Sequence, residues 1–183
     1  GLGLGSVVPV VEAMGRNLLC SPFFATTMAA QALVHGGTEE QKNAWLPKLA
    51  SGAVGTVALV EEDGDWDLAN VTVEGQVSGD NCILTGTKTF VQDATTCDVM
   101  IVSVRIGGDV KLILLEKAQV DSASIIRDVV IDETRRSYTV VLDGVSVSAS
   151  QVLQNTCLRE LESVGLLLLA AEIAGGAAGC LNV

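Results

Sequence analysis

The sequence predicts an α+β chain in three successive parts: N-terminal helices, an antiparallel β-barrel or sandwich, and one long C-terminal helix. Three observations predict it. Through roughly the first 50 residues apolar side chains recur at helical spacing. Beyond Ala53 they give way to short runs rich in Val, Ile, Leu and Thr, separated by Gly, Asp and Asn. From about Thr156 one helical period continues to Leu181. The division implied is residues 1–52 as a partial N-terminal helical domain, 53–152 as a middle β domain, and 153–183 as the start of a C-terminal helical domain.

The first helix is predicted from Val7, Val11, Met14 and Leu18, which share one face, with Ser6 as its cap. Pro9 then falls in the first turn, where a missing N–H costs little. Ser21-Pro22 restarts the chain, and Phe23 to Val34 is apolar on most sides, as a buried helix is. Gly36-Gly37 ends it. Thr38 and Gln41 have the spacing of a capping box. The helix they open carries Trp45, Leu46 and Leu49 on one face and stops at Ser51-Gly52, with a kink or early end expected at Pro47. Eight strands are predicted next: Thr56–Val60, Cys82–Leu84, Lys88–Val91, Val99–Val104, Val110–Leu115, Ile125–Ile131, Tyr138–Leu142 and Val145–Val147. The turns between them are marked by Gly79-Asp80-Asn81, Gly107-Gly108-Asp109 and Asp143-Gly144. Strands this close, without intervening helices, exclude a parallel βαβ unit. In the last helix Leu158, Leu161, Leu168 and Ala171 form a face, and Ala171, Gly175 and Gly179 form a stripe of small residues that admits a close neighbouring backbone. Little of this chain is expected to remain for that helix to pack on.

Composition bounds the function. The chain has 183 residues, 49% of them hydrophobic and 18% charged, which excludes disorder. A net charge of −11 and a pI near 4.3 are the wrong sign for a nucleic-acid partner. A single histidine, His35, excludes two-His metal sites and reads as a helix C-terminal residue. No metal site is predicted. Five dispersed cysteines without a CxxC pair read as free, buried thiols in a reducing, cytoplasmic compartment. The most apolar stretch, Val164 to Ala171, is shorter than the roughly 20 residues a membrane span needs. The mean hydropathy of +0.45 points to surface buried against another subunit or to a missing part of the fold.

Several segments could carry chemistry. Gly1-Leu2-Gly3-Leu4-Gly5 has the look of a phosphate loop but lacks a preceding strand; a glycine-rich lead-in to a helix is the plainer reading. Asp63-Gly64-Asp65-Trp66-Asp67, after Glu61 and Glu62, lacks the ligand ladder of a calcium loop and reads as a solvated loop. In Gly86 to Ala94, alternation puts Lys88, Phe90 and Gln92 on one strand face, where a ring and an amide could meet a planar cofactor; Phe90 as plain core is the competing reading. Arg135-Arg136 suits a phosphate, or a salt bridge to Asp132, Glu133 or Asp143.

The order of these parts resembles the acyl-CoA dehydrogenase family over essentially the whole chain. The resemblance is carried by Gly1–Gly5, Met14-Gly15-Arg16 with Ser21-Pro22, Gly37–Lys42 with Trp45–Gly52, Ala58-Leu59-Val60-Glu61, Leu84–Val91, Cys97-Asp98 and Leu142–Val147. The segment Asp132–Arg136 resembles a divergent bacterial branch, some of whose members are hetero-oligomers. The resemblance implies an FAD-dependent oxidoreductase of fatty acid or related lipid metabolism, acting on an acyl-CoA substrate. It passes electrons to an electron-transfer acceptor protein and assembles as a homo- or hetero-oligomer. A base takes the α-proton while the β-hydrogen leaves as hydride, and hydrogen bonds to the thioester carbonyl stabilise the developing enolate. Carried over by position, Val57, Leu59 and Val60 line the flavin, Phe90 covers its ring, and Val91 and Gln92 lie beside it, Gln92 at the reactive nitrogen. Trp66 falls on a substrate-binding position.

The departures are specific. Val60 stands where the family has Thr, Glu62 where it has Pro, Phe90 where it has Trp, Gln92 where it has Thr, and Trp66 where it has Ser. Acids in that loop repel a pyrophosphate by about 1 kcal/mol per pair. The family's catalytic Glu has no counterpart here, so no catalytic residue is assigned, and Glu160, Glu162 and Glu172 are read as packing-helix residues. The chain alone is expected to be inactive. The alternative expectation is a catalytically silent scaffold subunit beside an active homologue.

Overall fold

The computed structural model describes residues 3–132 and 134–181. Gly1, Leu2 and Glu133, named above, lie outside the described residues. Three helices come first. Helix α1, Val8–Arg16, starts with Pro9 in its first turn and buries Val11, Met14 and Gly15. No side chain caps it, so Ser6 does not play the predicted role. Leu18 lies beyond its end, at φ 48° and largely exposed, because the chain has already turned out of the helix. Helix α2, Phe23–Gly36, is the buried helix expected, with Ala29, Ala32 and Leu33 fully enclosed. Helix α3, Glu39–Ala50, opens on the reciprocal box: the Gln41 amide donates to Thr38 Oγ1 at 3.2 Å and the Thr38 amide to Gln41 Oε1 at 2.9 Å. It runs on past Pro47 to Ala50 rather than ending there.

The β region holds β1 (Gly55–Ala58), β2 (Glu74–Ser78), β3 (Asn81–Thr85), β4 (Thr87–Gln92), β5 (Val99–Ile106), β6 (Asp109–Glu116), β7 (Ile125–Arg127), β8 (Ser137–Val141) and β9 (Ser146–Ser148). Strand β2 was not predicted. It is mostly exposed and rich in polar residues, and its full-length pairing with β3 makes it a strand. Strand β7 is shorter than predicted. Beyond Arg127 the Asp128 carboxylate takes the Ser137 and Thr139 hydroxyls, at 2.7 and 2.8 Å, and Val129 and Ile131 stand in solvent.

The strands form a six-stranded sheet, β1-β5-β2-β3-β9 with β6 on β5, and a three-stranded sheet, β4-β8-β7. The expectation of purely antiparallel pairing is corrected: β1 runs parallel to β5 over Gly55–Ala58 and Val99–Val102, and β2 meets β5 in parallel at Arg105 and Ile106. The chain runs from β1 through β2, β3 and β4 before β5 comes back beside β1 in the same direction, which a tight hairpin cannot do. Between the sheets lies one core, with Leu84, Val91, Met100, Val102, Ile113, Val140 and Leu142. A second core lies between the helices and the outer face of β5 and β6, with Leu33, Val99, Ile101, Leu112 and Leu161. Strand β5 is buried on both faces through Val104, which explains the apolar run Val99–Val102.

Helix α4, Leu158–Leu181, returns across α1. A Cβ on Gly175 would lie 1.9 Å from the Glu12 carbonyl oxygen, and one on Gly15 would lie 2.1 Å from that of Glu172. The small-residue stripe is therefore closed by this chain itself, a correction to the expectation that α4 has little here to pack on. Leu166, Leu167, Leu169 and Ile173 remain exposed on its other side. Although its most apolar run is short, α4 as a whole has the length and mean hydropathy, 1.9, to cross a membrane; among the described residues no other helix does. Its buried residues, Leu161, Val164, Leu168 and Ala171, sit in the second core. Of the free cysteines, Cys82, Cys97 and Cys157 are buried and Cys20 and Cys180 are exposed. Burial pushes the Cys97 thiol up to about 12, the state of an inert core thiol.

Candidate functional site

The end of β1 and the whole of β4 meet at a seam between the two sheets. Two hydrogen bonds pin it: the Thr89 amide donates to the Val60 carbonyl at 2.9 Å, and the Thr56 hydroxyl donates to the Gln92 carbonyl at 2.7 Å. Strand β4 carries an irregularity here. Lys88 pairs with Val140 and Val91 with Tyr138, so three steps on β4 match two on β8. One residue is extra, and Phe90 takes it up at φ 54°, a left-handed conformation that costs an aromatic residue on the order of 1–2 kcal/mol.

This bulge overturns the predicted face. Lys88 and Val91 both point into the core and are fully buried, while the Phe90 ring is 59% exposed. Phe90 is therefore not core. Val91 is sealed between the sheets, so only its backbone can meet a ligand. Gln92 is half-buried, and its side-chain amide has no hydrogen-bond partner among the described residues. Val57 and Val60 are half-buried and Leu59 is buried among the helices. The seam thus brings together Val57, Leu59, Val60, Phe90, Val91 and Gln92. Trp66 does not join them. It stands largely exposed in the 62–71 loop, at a shallow hollow of about 260 Å³ shared with Leu158, Arg159 and Glu162.

Glu61 and Lys88, read only as a loop acid and a strand-face residue, form the electrostatic centre of the seam. Lys88 Nζ donates to Glu61 Oε1 at 2.6 Å and to Ser103 Oγ at 2.8 Å, all out of solvent. Glu61 also accepts the Thr72 amide at 2.8 Å, the Thr72 hydroxyl, and the Val73 amide at 3.2 Å. Burial pushes the Glu61 carboxyl up, and the bonds from Lys88, Thr72 and Val73 outweigh it and hold it below its ordinary value. Burial pulls Lys88 down despite Glu61. The signal in the sequence is a lysine in the interior of a short strand: turned inward, it requires an acid.

Beyond Gln92 the seam opens on a cavity of about 360 Å³. Met14, Leu19 and Phe24 form its apolar side, and Asp93, Arg135 and Glu172 its ionic side. Arg135 pairs with Glu172 and lies over the Phe24 ring, 5.7 Å from its centroid; of the acids offered as its partners, Asp132 and Asp143 form no ion pair with it, and Glu133 lies outside the described residues. Burial pushes the Asp93 carboxyl above its ordinary value, against the opposing pull of Arg136 and Arg135. The acidic loop is self-structured, each aspartate accepting an amide two residues on: Asp63 from Asp65 at 3.3 Å, Asp65 from Asp67 at 2.9 Å, Asp67 from Ala69 at 3.0 Å.

The residues at the seam fit a flat ring system. An exposed aromatic ring is presented by a strained bulge, a free amide stands beside it, and Thr89 Oγ1 is buried within the seam without a partner. The fit is to the ring alone; the loop after Val60 carries carboxylates and no cation.

Residues 1–53 match the family model for the acyl-CoA dehydrogenase N-terminal domain. The chain is 35% identical over 103 residues to (2S)-methylsuccinyl-CoA dehydrogenase of Cereibacter sphaeroides, a match covering 55% of this chain and 19% of that protein. Among solved structures it superposes on a steroid ACAD variant (Tcur3481-Tcur3483) with a TM-score of 0.82 and 27% identity, covering 98% of this chain and 48% of that one. It superposes on the glutaryl-CoA dehydrogenase of Mycobacterium smegmatis in complex with FADH2 with a TM-score of 0.64 and 27% identity, covering 82% of this chain and 39% of that one. The chain thus spans about half the length of these structures or less. Fold and relatives together place the chain beside dehydrogenases built as helices, two sheets and helices. Over residues 1–53 the chain matches the acyl-CoA dehydrogenase N-terminal domain, and over more of its length it is similar to acyl-CoA dehydrogenases.

Proposed function

We propose that this chain is the flavin-facing portion of an FAD-dependent acyl-CoA dehydrogenase, and that the seam between β1 and β4 is its cofactor shelf. The observation that carries the reading is the bulge at Phe90, which spends conformational energy to hold an apolar ring in solvent. A bare surface gains nothing from that ring; a stacked planar ligand does. Phe90 covers one face of the ring system, the backbone of Val57 to Val60 follows its edge, and the Gln92 amide donates to it. FAD, when bound, supplies hydride acceptance. The cavity past Gln92 takes the acyl end of the thioester, with Met14, Leu19 and Phe24 excluding water from it. Glu172, committed to Arg135, is not assigned as a base. The protein works in the cytoplasm with an acyl-CoA, an electron-accepting protein and further subunits as partners, and the division at residues 52 and 152 marks its domains.

Titration of the purified full chain with FAD, followed by quenching of flavin fluorescence, tests this. Saturable binding is expected, weakened about tenfold by Phe90→Ala with little change in melting temperature. Absence of binding to the unaltered chain defeats the reading. The acidic, Trp66-bearing loop favours a second reading, a scaffold subunit that keeps the fold without the chemistry. Co-purification with a second dehydrogenase-like chain that alone holds FAD would establish it.

A further inference from the structure

We infer that the buried Glu61–Lys88 pair is a positioning element, holding the base of the 62–71 loop and the bulged stretch of β4 in one fixed relation. Its consequence for ligand binding rests on the flavin reading above; its structural part does not. An ion pair this deep is a weak source of stability, because well-packed apolar side chains in the same volume often do as well. What apolar side chains cannot do is point. One carboxylate gathers the Lys88 ammonium from β4, the Thr72 amide and hydroxyl, and the Val73 amide, while Lys88 reaches on to Ser103 of β5. Glu61 directly follows Val60 and closes the loop on itself eleven and twelve residues later, at Thr72 and Val73. Lys88 directly precedes Thr89, whose amide bonds Val60. The pair therefore sits one residue from both ends of the bond that aligns the seam.

The bulge depends on the same anchor. Regular alternation would put Lys88 and Phe90 on one face. Lys88 goes inward and Phe90 outward only because an extra residue is inserted between Lys88 and Val91. With Glu61 gone, a charged Lys88 is driven to solvent, and β4 straightens with Thr89 turned inward.

The test is Glu61→Leu/Lys88→Met in the full chain, which removes both charges and keeps the volume. Circular dichroism and melting are expected to stay near those of the unaltered protein. Hydrogen exchange at the Thr72 and Val73 amides is expected to speed up about tenfold or more, and FAD affinity to fall by a similar factor. Unchanged protection of both amides overturns the inference. If the unaltered chain binds no FAD, the flavin reading fails and the exchange measurement alone decides the positioning role. If the double variant does not fold, Thr72→Val carries the test, since it removes one donor to Glu61 and keeps the side-chain shape. Faster exchange at Val73, about fivefold, is expected; an unchanged rate overturns the inference.

Discussion

Two of the contacts that hold this molecule's parts together are opposite in kind. The α1–α4 crossing is made by absence: Gly15 and Gly175 have no side chains, and each helix's backbone fills the space where the other's Cβ would be. The β1–β4 seam is made by charge: Glu61 and Lys88 meet at 2.6 Å without solvent. The first tolerates no added volume, and the second no unmatched charge. The lesson is that shape sets how closely the helices approach, while direction sets where the candidate ligand shelf lies.

The largest expected effect separates these by removing half of the pair. Lys88→Met leaves Glu61 buried and unneutralised and is expected to cost about 3–5 kcal/mol, read by denaturant unfolding. A loss under about 1 kcal/mol would mean that the seam relaxes to admit water. Next is Gly175→Ala. Alanine gains about 1 kcal/mol of helix propensity, but its methyl meets the Glu12 carbonyl at 1.9 Å, and a net loss of about 2–3 kcal/mol is expected. The same substitution at Gly176, one residue on in the same helix, meets only the Gly15 carbonyl oxygen at an ordinary 3.7 Å; it keeps the propensity gain without the clash and separates the two causes.

Phe90→Gly sharpens the comparison from the functional side. It relieves the left-handed strain and is expected to stabilise the ligand-free protein by about 1 kcal/mol while weakening FAD binding; stabilisation without loss of binding would detach the bulge from function. The smallest effect is at Asp93. Its carboxyl is raised in the folded state, so its ionised form costs stability at neutral pH, and that cost is relieved as pH falls through the folded value. Asp93→Asn is expected to raise the melting temperature slightly at pH 7, by under about 0.5 kcal/mol in stability, with the difference gone below the ordinary carboxylate range. Glu61 has the opposite sign. Held below its ordinary value, it stabilises at neutral pH, and the protein is expected to lose that contribution as acid protonates it, a loss absent from the Glu61→Leu/Lys88→Met variant.

Much of the fold could be read from residues. The Thr38–Gln41 box, the buried α2 and the small-residue stripe of α4 are all local patterns, and local patterns survive folding. Strand β2 could not be read, because Gly75 and Gln76 have no strand preference and pair only because β3 lies beside them. Parallel pairing of β1 with β5 joins residues more than 40 apart, which no local pattern encodes. At the site, the right segments were legible and their orientation was not. Alternation is a rule about unbroken strands, and a bulge between Lys88 and Val91 reverses what it says about Phe90. The acidic run also hid a distinction: Asp63, Asp65 and Asp67 shape a turn at the surface, while Glu61, two residues before Asp63, is interior.

The glycine crossing has one more implication. Helices α1 and α4 are the first and the last along the described chain, so their contact is a clasp that shuts a long loop of sequence. Neither helix can lift alone: once one does, the other has a trench of bare backbone in place of a neighbour. Partial digestion should therefore release both together, and a cross-link between them should protect the whole.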